Sequence, residues 1–311
     1  MTDSASLTIR SLRPEDQPAW RELWTKYLEY YETRLPEAVF TTTFARLLSK
    51  APGEFSARIA LMGGRLVGLV HYLFHGSTWK AEEVCYLQDL YTLPEVRGLG
   101  VGRALIETVY AEADAAGAPT VYWFTQDFNA RARRLYDSVG VLTPFIRYNR
   151  VLPAASIRPT PARGITIRPP TPADEPAWRR LWADYLSFYE TDLPESVTRQ
   201  TFARVAGADS GEMRGLIAEI DGAAVGLVHF VGHRSCWKVE NVCYLQDLFV
   251  APPARGRGLG RALIEAVYAD ADRRGTPAVY WLTQSFNSTA RALYDQVAAK
   301  TPFIEYDRPE K

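Results

Sequence analysis

Apolar positions along the first half of the chain alternate between two periods. LTIR, from Leu7 to Arg10, has the two-residue alternation of a strand. Trp20, Leu23, Trp24, Tyr27, Leu28 and Tyr31 then return at steps of three and four, which predicts one face of a helix, and Pro18 suits its first turn. A second helix is expected after Pro36, with Phe40, Phe44, Leu47 and Leu48 on its apolar side. ARIALMGGRLVGLVHYLF predicts a hairpin turning at Gly63–Gly64, and EEVCYLQDLYT another strand that ends before Pro94. A glycine-rich stretch leads into a helix carrying Leu105, Ile106, Val109 and Ala113 and stopping at Gly117. TVYWFT reads as a strand, Asn129 to Val139 as a helix, and FIRYNRVL as a strand closing the unit. The order β-α-α-β-β-β-α-β-α-β is that of a mixed α/β domain.

The same pattern then runs a second time. His71 and His229 lie 229 − 71 = 158 positions apart, and this offset also links Trp20 to Trp178, Asp89 to Asp247, Gly100 to Gly258, Asn129 to Asn287 and Tyr136 to Tyr294. A period of this length marks two whole domains, not a solenoid, and 311 residues suit two. The expected division is 1–152 and 165–311, with the Pro/Ala/Ser-containing stretch 153–164 as linker.

Composition narrows the classes. Apolar residues make up 47%, enough for a buried core and too many for a disordered chain. Lys+Arg and Asp+Glu are both 36, so bulk charge does not point to a nucleic-acid partner. Cys85, Cys236 and Cys243 form an odd set without metal-ligand spacing, as expected of a reduced, cytoplasmic protein. The four histidines lack ligand spacing too, so no metal is expected. The N-terminus has no basic-then-apolar leader pattern, and no apolar run approaches the ~18–20 residues of a membrane span.

The candidate chemistry lies in LPEVRGLGVGRALI and its twin APPARGRGLGRALI. Glycines at a helix start allow positive φ and a close approach to unpaired N–H groups, which together attract a phosphate. A preceding arginine adds a forked cationic donor. The nucleotide loop GxxxxGK[ST] is absent, and GxGxxG fails because Arg103 and Arg261 stand at its third place.

Arg97-Gly98-Leu99-Gly100-Val101-Gly102 and Arg255-Gly256-Arg257-Gly258-Leu259-Gly260 resemble the acetyl-CoA pyrophosphate loop of the GNAT superfamily of N-acetyltransferases. The lead-in strands YLQDLYTLPE and YLQDLFVAPP fit, as does N-x-x-A-R-x-L-Y at Asn129 to Tyr136 and Asn287 to Tyr294. The resemblance covers almost the whole chain outside the linker and is closest to the branch acting on histones, polyamines or D-amino acids. It implies two tandem GNAT domains, each a mixed, mostly antiparallel sheet flanked by helices. It further implies that backbone at Leu90, Tyr91 and Thr92, and at Leu248, Phe249 and Val250, pairs with the pantetheine arm in a splay between two strands. The loop residues with Arg103, Arg261, Asn129 and Asn287 would complete the cofactor site, and Tyr136 and Tyr294 would protonate the departing thiolate.

A base for the amine is harder to place. The polyamine enzymes carry a glutamate where this chain has Gln88 and Gln246, and an amide cannot accept a proton at neutral pH. Unbroken strand alternation puts Glu82 and Gln88 on one face, making Glu82 and Glu240 candidates acting through water. Asp89 and Asp247 remain open between chemistry and structure, pending a bulge. Tyr31, Glu32, Trp79 and Gln88 in one copy, with Tyr189, Glu190, Trp237 and Gln246 in the other, are the expected acceptor residues. Glu29 against Ser187 and Gly76 against Arg234 point to unlike acceptors. The expected activity is acetyl transfer to a primary amine of a small molecule (amino acid, polyamine or amine drug), with the two domains packed as an internal pseudo-dimer. Alternatives are a single active domain with a degenerate partner, a protein acetyltransferase, or a non-catalytic acyl-CoA-binding module.

Overall fold

The structure is a computed structural model that describes residues 6–151, 164–206 and 211–310. The expected linker therefore lies outside the described residues apart from Gly164. The first half contains β1 (Leu7–Ser11), α1 (Gln17–Tyr30), α2 (Glu37–Leu48), β2 (Ser56–Met62), β3 (Arg65–His75), β4 (Val84–Thr92), α3 (Val101–Ala115), β5 (Val121–Gln126), α4 (Ala130–Tyr136) and β6 (Val141–Asn149). The second repeats it as β7 (Ile165–Arg168), α5 (Glu175–Phe188), α6 (Glu195–Val205), β8 (Met213–Ile220), β9 (Ala223–His233), β10 (Val242–Val250), α7 (Leu259–Arg273), β11 (Val279–Gln284), α8 (Ser288–Val297) and β12 (Ala299–Asp307). Among the described residues, no helix is long and apolar enough to cross a membrane.

The β2–β3 hairpin turns at Gly63 and Gly64, both at positive φ (57° and 77°), as a two-residue turn between right-twisted strands requires. The α1 stripe buries Trp20 and Trp24, whose rings stack at 5.0 Å against the His71 face of β3. On the opposite face α3 packs over Gly68, where an added Cβ would lie 3.2 Å from Val101 and Leu105. Helices thus flank both faces, as expected.

Among the described residues, twelve strands join one sheet, in the order β1-β2-β3-β4-β5-β12-β6-β11-β10-β9-β8-β7. Only β4–β5 and β10–β11 are parallel. The strand expected to close each unit closes the other one instead. β6 pairs with β11 of the second half, and β12 pairs with β5 of the first. The two exchanged strands then pair with each other and fuse the halves edge to edge. Sequence pattern cannot foresee this, because two-residue alternation fixes which face a strand buries and not which neighbour it takes.

Helices and loops cross the same boundary reciprocally. Thr43 on α2 donates to the Cys236 carbonyl (2.8 Å), and Arg46 holds the Val239 carbonyl (2.6 Å). In return Thr201 on α6 donates to the Thr78 carbonyl (2.7 Å), and Arg204 holds those of Ser77, Lys80 and Ala81. His75 and His233 stack 5.2 Å apart between the halves. Each accepts a hydroxyl hydrogen bond at Nε2, from Tyr122 or Tyr280, and offers Nδ1 to a backbone carbonyl.

Burial lowers the pKa of His75 to about 4 and that of His233 to about 3. The unfolded chain protonates these rings near the ordinary value of about 6.5, before the folded chain does. Below that pH the unfolded state binds more protons, so their contribution to stability is lost as pH falls toward 4. Urea midpoints measured from pH 7 to 4.5 should therefore fall more steeply in the wild type than in the His75→Gln/His233→Gln double variant. Equal slopes would show that these rings do not titrate on unfolding.

Candidate active site

β4 and β5 pair only from Cys85↔Val121 to Leu87↔Trp123 and then separate. The cause is a bulge at Gln88: in the β3–β4 register His71 faces Asp89 while Tyr72 faces Leu87. Beyond it, the β4 edge at Leu90, Tyr91 and Thr92 lines a cleft of about 520 Å³.

At one end of the cleft is the start of α3. Gly98 and Gly100 have φ of 86° and 83°, conformations that strain any side chain, and Gly100 is the N-cap. The N–H groups of Val101, Gly102 and Arg103 belong to the first turn and have no intrahelical acceptor. A Cβ at Gly102 would sit 3.0 Å from Leu135. The turn is thus shaped for an anion at close range. Arg97, folded back so that Nε donates to the Thr92 carbonyl, and Arg103 border the same space. Leu99 does not join them: its side chain is 61% exposed and its amide donates to the Val96 carbonyl. Arg131 and Arg134 on α4 also line the cleft and were missed, although ARARRLY displays them. Asn129 lines the cleft while capping α4, accepting from the Ala132 amide (3.2 Å).

Tyr136 borders the cleft and packs against Trp123 and Tyr306. Among the described residues its hydroxyl has no hydrogen-bond partner, whereas Tyr148 and Tyr306 donate to Asp295 and Asp137. Burial pushes its pKa well above the ordinary value, so it remains a proton donor at neutral pH.

The second half repeats this local geometry. Gly256 and Gly258 have φ of 76° and 81°, Leu259 opens α7, and a Cβ at Gly260 would lie 2.9 Å from Leu293. Arg255 Nε donates to the Val250 carbonyl, at the end of the strand carrying Leu248 and Phe249. Arg257 is exposed on the turn, and Arg261 bonds Gln296. Asn287 caps α8, and buried Tyr294 has no hydrogen-bond partner among the described residues. Its pKa is likewise raised by burial.

The expected acceptor residues are partly regrouped. Trp237 of the second half packs edge-on to Tyr31 (5.7 Å), and Trp79 of the first packs edge-on to Tyr189 (5.6 Å). Each tryptophan therefore serves the opposite half, because its loop crosses the boundary. Gln88 bonds Ser235 Oγ and the Cys236 amide, and Gln246 bonds Ser77 Oγ and the Thr78 amide. Both glutamines therefore clamp the crossing loops. Glu32 and Glu190 sit at positive φ just past α1 and α5, exposed and outside the clefts described here. Glu82 and Glu240 are not brought in either: β4 begins at Val84 and β10 at Val242, leaving both in exposed loops. A second cavity of about 380 Å³ adjoins the first, sharing Tyr27, Tyr31, Gln88 and Phe124, and is walled by Trp237, Tyr280, Phe303 and Arg147.

Asp89 and Asp247 hold the crossing loops. Trp20 Nε1 donates to His71 Nε2, which leaves the proton on Nδ1 to donate to Asp89 (2.9 Å). The other Asp89 oxygen accepts from Trp237 Nε1 (2.8 Å), and the Cys236 thiol also bonds this carboxylate. Asp247 accepts likewise from His229, Trp79 and Thr78. His71, Asp89 and Cys236 lie close enough to suggest metal ligands. A hydroxyl at Thr78 in the twin does what the thiol does, so hydrogen bonding accounts for the group.

A family model described as Acetyltransferase (GNAT) family matches residues 13–141 and 176–298. The D-amino-acid N-acetyltransferase HPA3 of Saccharomyces cerevisiae is 42% identical over 145 residues, 46% of this chain and 90% of that enzyme. The thialysine N-epsilon-acetyltransferase of Bos taurus is 38% identical over 96 residues, 31% of this chain and 52% of its own. Among solved structures, a tandem GNAT protein from the clavulanic acid biosynthesis pathway aligns over 98% of this chain and all of its own, with a TM-score of 0.55 and 17% identity, a likeness of fold. With both halves matched and both glycine turns in place, this chain belongs to the GNAT family of acetyltransferases.

Proposed function

We propose that the chain is an acetyl-CoA-dependent N-acetyltransferase acting on the primary amine of a small molecule, with a site in each half of an internal pseudo-dimer. The observation that carries this reading is one cleft bounded by unpaired helix amides and by an unpaired tyrosine hydroxyl. The first-turn amides and Arg97 would hold the diphosphate, and the β4 edge the pantetheine arm. Acetyl-CoA supplies an activated acetyl thioester. Tyr136, and Tyr294 in the twin, donates a proton as the thiolate departs. The adjoining cavity of about 380 Å³ is of small-molecule size. The printed activities of the relatives, on D-amino acids and thialysine, support an amine of that class.

Among the described residues, the only carboxylate lining these two cavities is Asp89, and it is occupied by three donors. The amine therefore loses its proton before attack, at a cost of about 4.6 kcal/mol at pH 7 for a pKa of about 10.4. Thiol release from acetyl-CoA with a panel of amino acids and diamines tests the reading. First-half kcat/KM, read in a Tyr294→Phe background, should rise about tenfold per pH unit between pH 7 and 9. No thiol release with any amine, together with no CoA uptake by calorimetry, would overturn the proposal.

A further inference from the structure

Charge differs between the two copies at two neighbouring twin positions. Arg147 on β6 and Glu305 on β12 are separated by the same 305 − 147 = 158 offset, and so are Asn149 and Asp307. Arg147 lines the inter-half cavity beside Gln88 and Trp237. Its guanidinium lies 4.0 Å over the Tyr280 ring, and Nε donates to Asn149 (3.0 Å). Among the described residues no carboxylate comes within ion-pair distance of it. The neighbouring cations are committed: Arg150 pairs with Asp272 (2.6 Å), and Lys238 meets Glu240 (4.0 Å). Arg147 is thus a half-buried cation, stacked and oriented, with no counter-charge in a cavity that opens beside the candidate cleft.

At the twin position Glu305 is buried and accepts from Thr143 Oγ1 (3.1 Å). Asp307 stands two residues on, with Lys80 as its nearby cation, and Arg308 is paired with Asp114. Burial raises the pKa of both carboxylates, Asp307 to about 6, and the charge of Asp307 raises Glu305 further. The twin therefore presents no cation at this position.

We propose that the two halves differ in the acceptor they take: the first-half site takes an amine that also carries a carboxylate, held by Arg147, and the twin, with Glu305 at that position, does not. This rests on the acetyl-transfer reading above. It assigns the specificity of the first site to a strand that pairs into the second half's sheet.

The test uses alanine and 1,4-diaminobutane as acceptors, with thiol release and calorimetric titration of the CoA-loaded protein as readouts. Arg147→Gln should lower kcat/KM for alanine at least about tenfold, as expected for loss of a charge-assisted contact, and leave the diamine unaffected. Arg147→Lys should restore part of the loss. Tyr136→Phe should remove alanine turnover, and Tyr294→Phe should leave it. Unchanged thermal midpoints separate these effects from misfolding. An equal fall for both acceptors in Arg147→Gln, or loss of alanine turnover in Tyr294→Phe, overturns the sorting while acetyl transfer stands. No turnover and no calorimetric uptake of alanine overturns the assignment of Arg147, while the acetyl-transfer reading falls only if no amine of the panel releases thiol and CoA does not bind.

Discussion

Asp89→Ala should destabilise the protein by about 3–5 kcal/mol, since it strands a buried histidine N–H, an indole N–H and a thiol that have no other acceptor among the described residues. In a chain of this size that lowers the thermal midpoint by on the order of 10 °C. The effect should reach the acceptor cavity as well, because Trp237 is both an Asp89 donor and a cavity wall. Asp247→Ala should behave alike through Trp79 and Thr78. Cys236→Thr is the control, as it installs the residue the twin already uses and should cost less than about 1.5 kcal/mol. Differential scanning calorimetry of the four proteins decides the matter. A shift of a degree or two in Asp89→Ala would mean that water or a neighbour replaces the carboxylate.

The largest effect on chemistry is expected at the tyrosines. Tyr136→Phe should reduce turnover at the first site by about 10²–10⁴, the usual range for losing a positioned proton donor. Stability and CoA affinity should hardly change, because the hydroxyl has no structural hydrogen bond to lose. Tyr294→Phe should do the same at the second site, and the double variant should retain only background. Single-turnover rates paired with CoA titrations separate chemistry from binding. A chain with one working half would lose everything through one of the two substitutions and nothing through the other. Turnover that survives both would remove the tyrosines from the reaction.

The helices and most strands were legible because burial imposes a period on them. Trp20, Leu23, Trp24, Tyr27 and Leu28 are all buried on α1, as their spacing requires. The glycine turn was legible because positive φ at Gly98 and Gly100 restricts the residue type. Partner choice was not. FIRYNR and FIEYDR are nearly the same strand twice, so nothing in their alternation tells which half each will join. The same gap misassigned Trp79 and Trp237, which lie in loops that cross over. Glu82 failed as a candidate because the strand starts later than its alternation implied. Among the differences between the copies, Gly76/Arg234 drew notice, yet Arg234 pairs with Glu54 (2.8 Å) and does not line the inter-half cavity. The Arg147/Glu305 difference could be seen in the sequence, but only the topology gives Arg147 a cavity to face.

Loops and strands lent across the boundary also alter how such a chain can evolve. A substitution in the Ser235–Lys238 loop is felt by the chemistry of the first half, although it is written in the second. Loss of Tyr294 would therefore not free the rest of that half to drift, since the first half still needs its tryptophan and its phenylalanine. Selection on one substrate would preserve both copies, and decay would show first in the residues that only the idle site uses.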